Sequence, residues 1–195
     1  MKLFSYVVQH DTGHAPNPYF GVCTLCRCKF RRASGKPKNI VELAEASDWI
    51  VGTGGANLKK SAGHGKIVYA MRVDKKLTRQ QYYDNPRFAK KRVGTSSDER
   101  EHGDNILPCT NFEKYDQYAL ISRHFYYFGA NAIDIPGKFP NLEKTGPGFR
   151  CDFTIAYIRR FVKWLEGQDK SGKRGEPRQK PADRPTGSKA CKSSC

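Results

Sequence analysis

The sequence predicts an α+β fold built on a small, strongly curved mixed or antiparallel sheet. Segments rich in aromatic and β-branched residues recur along the chain and read as strands. Helical signals fall between them in the order strand, loop, helix, strand, strand, helix, strands, helix, without the regular alternation of a doubly wound sheet. One amphipathic helix near residue 160 supplies an apolar stripe wide enough to cover such a sheet.

Residues 3–9, with Phe4, Tyr6, Val7 and Val8, predict the first strand. The segment 11–18 is dense in turn formers, and Pro16 and Pro18 exclude a helix there. Asn39 and Glu42 have the spacing of a helix cap, predicting a short helix ending near Ser47. Asp48–Thr53 reads as a strand closed by Gly54 and Gly55, and 56–65 as a Gly/Lys loop. Lys66–Val73 is the clearest strand. Thr78 and Gln81 form a capping box, and Asn85-Pro86 stops the helix it opens. Residues 118–122 and 124–128 read as strands with a break near Arg123, and 129–150 as a Gly/Pro-rich loop. Phe153, Tyr157, Phe161, Trp164 and Leu165 share one helical stripe over 152–166, and Gly167 ends it. Beyond Gly167 no periodicity remains. Residues 1–167 are therefore expected to form one domain and 168–195 a disordered basic tail.

The 195 residues carry 35 Lys and Arg against 19 Asp and Glu, a formal charge of +16. Eight basic and three acidic residues lie from 168 onward, so +11 belongs to the body. An excess of this size on a folded domain points to a polyanion, because binding releases condensed counterions. No run approaches the ~18 apolar residues of a membrane span, so no membrane partner is expected. The N-terminal apolar stretch is too short for a secretory signal, and seven cysteines is an odd number. Together they favour free thiols in a reducing cytoplasm over a disulfide framework.

Several residues are candidates for chemistry. His10, Asp11, His14, Cys23 and Cys28 surround the Pro-stiffened loop. A thiol beside a histidine and a run of Lys and Arg is a candidate nucleophile, with Cys23 attacking, His10 or His14 as base and Asp11 orienting. The alternatives are an Asx turn at Asp11, a buried Cys23 and solvated histidines. The Cys23-x-x-Cys26 spacing suits a metal, but a second pair is missing, so no metal and no cofactor are expected. Trp49 and Tyr69 are candidates to stack on a base, with Gly52 and Gly54 allowing close approach. Asp11, Asn17, Asp104 and Asn105 are candidates to read its polar edge. Lys29, Arg31, Arg32, Lys59 and Lys60 are candidates to hold phosphates without reading sequence. A further basic cluster, Lys90-Lys91-Arg92, lies in loop-like sequence.

The unit running from Asp48-Trp49-Ile50-Val51-Gly52 through Lys66–Val73 to Tyr83–Phe88 resembles the middle of PUA-like barrels, whose strands wall a pocket for a flipped or modified base. A second resemblance spans about 5–166. Tyr6-Val7-Val8, Asp11-Thr12-Gly13, Ala15-Pro16-Asn17-Pro18, Cys23-Thr24-Leu25 and Cys28-Lys29 open it. Asp48–Gly54, Tyr69–Val73, Gly103–Ile106, Leu120-Ile121-Ser122 and Phe125–Gly129 continue it. Together these resemble the nucleotide modification associated domain 2 family of phage and bacterial DNA-modification systems. Where that family tends to carry Gly-Thr-Gly-Ser, this chain has Gly54-Gly55. The resemblance implies association with modified bases. Two roles follow as expectations: a domain that binds nucleic acid (DNA rather than RNA) and takes a base into a pocket, or an enzyme that modifies a nucleotide through the Cys/His/Asp group.

Overall fold

The computed structural model describes residues 1–26, 39–91 and 118–179. Among these residues ten strands and three α-helices lie in this order: β1 (Leu3–Val8), β2 (Cys23–Cys26), α1 (Ile40–Leu43), β3 (Trp49–Gly54), β4 (Lys66–Arg72), β5 (Lys75–Thr78), α2 (Arg79–Asp84), β6 (Tyr118–Ser122), β7 (Phe125–Tyr127), β8 (Ile133–Asp134), β9 (Phe149–Arg150), α3 (Ile155–Glu166) and β10 (Gly172–Lys173). A 3₁₀ turn, Pro86–Lys91, follows α2. The fold class is α+β, as the sequence predicts.

The larger sheet runs β10-β7-β4-β3-β1-β9, with β8 on the end of β4. β1 pairs β3 in parallel and β10 pairs β7 in parallel; the other pairings are antiparallel. A second, antiparallel sheet runs β2-β6-β5. Neither closes on itself among the described residues, so the arrangement is two open sheets rather than a PUA-like barrel.

Period-two alternation divides the central strands cleanly. Phe4, Tyr6, Ile50, Tyr69, Met71 and Tyr127 point to one side, where Cys23, Leu25, Leu120 and α1 pack on them. Leu3, Trp49, Val51, Ile67, Ala70 and Tyr126 point to the other, under Phe139 and the Ile158, Phe161 and Leu165 face of α3. The central sheet is thus covered on both faces, which is why β3 is buried along its whole length.

Local signals place most elements where the sequence puts them. Asn39 caps α1 by accepting from Glu42 N–H at 2.8 Å, Thr78 and Gln81 close their capping box, and Thr154 caps α3. The first helix ends at Leu43 instead of Ser47. The Asp48 carboxylate accepts from the backbone N–H groups of Glu45 and Lys2, offering the chain a turn in place of another helical bond. Residues 168–179 also differ from the expected tail. β10 pairs with β7, Arg174 N–H donates to the Tyr127 carbonyl at 2.7 Å, and Gln179 is buried. The gain here is edge pairing rather than apolar burial, so hydrophobic periodicity gives no warning of it. Residues 180–195 lie outside the described residues.

Gly52 shows how tightly the central sheet is filled. A Cβ there would lie 2.3 Å from the Tyr69 ring and 2.6 Å from Val8. Gly52→Ala is therefore expected to lower the unfolding free energy by about 1–3 kcal/mol through overpacking. A urea midpoint equal to that of the wild type would contradict this packing.

Candidate nucleic-acid interface

The residues expected to wall a base pocket are interior residues. Trp49 is buried between α3 and the sheet, with its ring edge-on to His124 at 5.3 Å. Tyr69 is fully buried on the other face, and its hydroxyl meets that of Tyr6 at 2.9 Å. The space beside Gly52 holds the Tyr69 ring, and the space beside Gly54 holds the Gly63 carbonyl. These glycines let the protein approach itself, so the expectation of a base stacked on Trp49 or Tyr69 is corrected.

Asp11 is likewise committed. Its carboxylate accepts from the Tyr127 hydroxyl and, at 3.0 Å, from the Arg178 backbone N–H. Its own N–H donates to the Lys60 carbonyl at 2.8 Å, and its carbonyl accepts from Gln179 N–H at 2.9 Å. Burial raises the Asp11 carboxyl above its ordinary range, while the bonds from Tyr127 and Arg178 act in the opposite direction. Burial first, then the Asp11 charge, pushes Tyr127 well above an ordinary phenol. The group locks the 9–21 loop, β7 and the 172–179 strap together, and its burial keeps the carboxylate out of reach of a base edge. His10 is exposed at its rim, with Nδ1 3.2 Å from Gln179 Oε1, and His14 is half-buried.

Cys23 is fully buried on β2, so it is sealed from a substrate and the expected nucleophile is corrected to a core thiol. Cys26 packs in a different cluster from Cys23, so the pair does not converge on a metal. Asn17 is buried and accepts the Lys91 ammonium at 2.8 Å. Lys91, from the basic cluster in loop-like sequence, is itself buried and also donates to Thr24 Oγ1 and to the Asn17 and Val22 carbonyls. Lys59 and Lys60 are exposed, as phosphate contacts require. Lys29, Arg31, Arg32, Cys28, Asp104 and Asn105 lie outside the described residues.

A different concavity gathers charge. It opens between the 19–22 hairpin turn, the β4–β5 corner, the start of the 3₁₀ turn and the β6–β7 turn, with a volume of about 860 Å³. That lies within the range of ligand clefts, about 300–1,000 Å³. Arg72, Lys75, Arg87 and Arg123 line it with His124, against one carboxylate, Asp74. Asp74 Oδ2 accepts from the Arg123 backbone N–H at 2.6 Å, and Oδ1 accepts from the Arg72 guanidinium at 3.2 Å. These bonds tie the β4–β5 corner to the β6–β7 turn. Phe20 stands at the rim, 44% exposed, with φ of +61°. A bulky residue rarely holds the left-handed region, which costs about 1–2 kcal/mol, and the adjacent Gly21 has φ of +75°. Such strain in a turn that aims an aromatic ring over a basic groove is the pattern of a functional position.

Sequence reasoning passes over these four cations because Arg72, Arg87 and Arg123 each stand without an adjacent Lys or Arg and Lys75 has only Lys76 beside it. Arg72 ends a strand, Lys75 starts one, and Arg87 and Arg123 sit in turns, so only the fold brings them together.

A profile described as nucleotide modification associated domain 2 matches residues 1–117 and 107–184. The chain belongs to the nucleotide modification associated domain 2 family. Comparisons with curated proteins and with solved structures find no match. The family match reaches past the helix to residue 184, so the 172–179 strap of this nucleotide-modification-associated domain lies within the family's span. No helix among its described residues is long and apolar enough to cross a membrane.

Two outcomes test the Asp11 lock. Tyr127→Phe is expected to cost about 1.5–3 kcal/mol, the worth of a hydrogen bond to a charged group, and to open the 172–179 strap to limited proteolysis. A carboxyl raised by folding stabilises most fully when protonated, below its unfolded value, and that contribution is lost as pH rises through the folded value. The stability of the wild type relative to Asp11→Asn should therefore fall as pH rises from the ordinary carboxylate range through the raised folded value in urea unfolding series. A difference that stays flat or rises would contradict the assignment.

Proposed function

We propose that this chain is the nucleic-acid-contacting domain of a base-modification system, and that the groove under Phe20 takes the sugar-phosphate backbone. The observation that carries the reading is the convergence of Arg72, Lys75, Arg87 and Arg123 from separate parts of the chain onto one concave surface. Arg72 is the only one of the four whose side chain has a recorded ion pair among the described residues. Cations held close with little acidic compensation repel one another in the free protein, and a polyanion relieves that repulsion. The overall charge of +16 acts in the same direction. Contacts of this kind position a nucleic acid and leave sequence unread, which suits a domain that serves a modification reaction. DNA is the expected partner. The exposed Lys59 and Lys60 lie on a separate loop beside Asp11, at the other end of β3 from Arg72.

Fluorescence anisotropy with a labelled single-stranded oligonucleotide tests this reading. Removing two phosphate contacts with Arg87→Ala/Arg123→Ala is expected to flatten the plot of log affinity against log salt by about 1.4, at about 0.7 per phosphate for a single strand. Phe20→Gly separates function from folding. It relieves the left-handed strain, so thermal stability should hold or rise while affinity falls. Binding by the arginine variant with wild-type affinity and wild-type salt dependence would remove the groove from the proposal.

A further inference from the structure

A second cavity, of about 570 Å³, lies on the outer face of α3. Arg160, Lys163, Trp164 and Gly167 line it, at the i, i+3, i+4, i+7 spacing of one helical face. Lys138 and Phe139 form the opposite wall. Trp164 is half-buried, held by Phe139 at 5.3 Å and Phe161 at 5.9 Å between ring centres. Its indole N–H makes no recorded hydrogen bond among the described residues. Arg160, Lys163 and Lys138 have no recorded ion pair there, and no carboxylate lines the cavity. Three full positive charges outweigh the roughly half negative charge of the helix C-terminus beside them. The chemistry offered is an aromatic platform ringed by cations, which suits a nucleobase carried on a phosphate chain.

The two cavities are neighbours. Gln168 lines the second and Ser171 the groove. Three peptide links separate them, so their Cα atoms are at most about 11 Å apart. That distance spans about three phosphates of a stacked strand, at about 3.4 Å each. The ridge between them is fixed: Arg174 donates to the Lys170 and Ser171 carbonyls and pairs with Asp169, and Gln168 Nε2 donates to the Trp164 carbonyl. On this stretch Asp169 pairs with Arg174, and Glu166 lies 3.4 Å from His124 Nε2.

We infer that the groove and the α3 cavity form one track for an unpaired strand, with Trp164 stacking on a single base while Lys138, Arg160 and Lys163 hold its phosphates. The inference rests on the nucleic-acid reading of the groove. An unpaired strand is the occupant because bases inside a duplex are already stacked and cannot reach an indole on a helix face.

The full chain contains two tryptophans, and Trp49 is buried. Titration with an unpaired oligonucleotide of about ten residues, a length within single-strand site sizes, should quench tryptophan emission in the wild type and leave Trp164→Phe unquenched. A blunt duplex of the same sequence should not quench. Trp164→Ala should weaken binding of the unpaired strand about five- to 150-fold, the loss of one base–aromatic stack. Lys138→Ala/Arg160→Ala/Lys163→Ala should weaken it further and lower its salt dependence. The inference is overturned if the strand binds through Arg87 and Arg123 but emission does not move and the triple variant keeps wild-type affinity; the groove reading then survives alone. Equal quenching by duplex overturns the unpaired occupant. If the wild type binds no oligonucleotide, both readings fall together.

Discussion

Both faces of the central sheet are covered, and that constraint decides where this protein can meet a ligand. Aromatic rings from β1, β3, β4 and β7 alternate into two separate cores, one under the β2-β6-β5 sheet and one under α3. A fully buried aromatic contributes about 1.5–3 kcal/mol by leaving water, so turning Trp49 or Tyr69 outward to receive a base would forfeit stability that a domain of this size cannot spare. Recognition is pushed off the sheet, to its corners and to the outer face of the helix that covers it. Cations accumulate in those two places.

Asp11 does for the 9–21 loop and the 172–179 strap what hydrophobic burial does for the central strands. It is a buried carboxylate, and it is tolerated because a phenol and a backbone N–H donate to it. Through those bonds the strap at 172–179 is drawn onto the 9–21 loop. Gly129 and Gly175 permit the closest approaches, with the Glu176 carbonyl 2.2 Å and the Phe128 carbonyl 1.9 Å from where a Cβ would stand. The strap anchors the 168–171 ridge, and the ridge separates the groove from the α3 cavity. A buried polar contact thus shapes the surface between two candidate binding sites on the far side of the strap.

Elements with strong local signals are legible in the sequence. The caps at Asn39 and Thr78, the strands with dense aromatic or β-branched content and the amphipathic helix lie where local rules put them, apart from the early end of α1 and the start of α3 at Ile155, capped by Thr154. β5, with Lys75 and Lys76, and the two-residue strands β8 to β10 are not legible, since their pairing is dictated by partners distant in sequence. The candidate site divides along the same line. Asp11, Asn17, Cys23, Trp49 and Tyr69 stand out by residue type, yet each is used for packing or for holding loops. Arg72, Lys75, Arg87 and Arg123 stand out in no local window, because their significance is geometric. The helical stripe at Trp164 is legible as a core face, but its cationic edge at Arg160 and Lys163 gains meaning only from Lys138, which lies 22 residues before Arg160 in sequence.

The central claim is that nucleic acid meets the corners of this fold and not its sheet. Backbone amide chemical-shift mapping on the full chain, titrated with an unpaired oligonucleotide, addresses that claim most directly. The account predicts shifts clustered at Phe20–Val22, Arg72–Lys75, Arg87, Arg123-His124 and 163–171, with the β1 and β3 amides unmoved. Shifts centred on Trp49–Gly54 and Tyr69, with the groove silent, would contradict it.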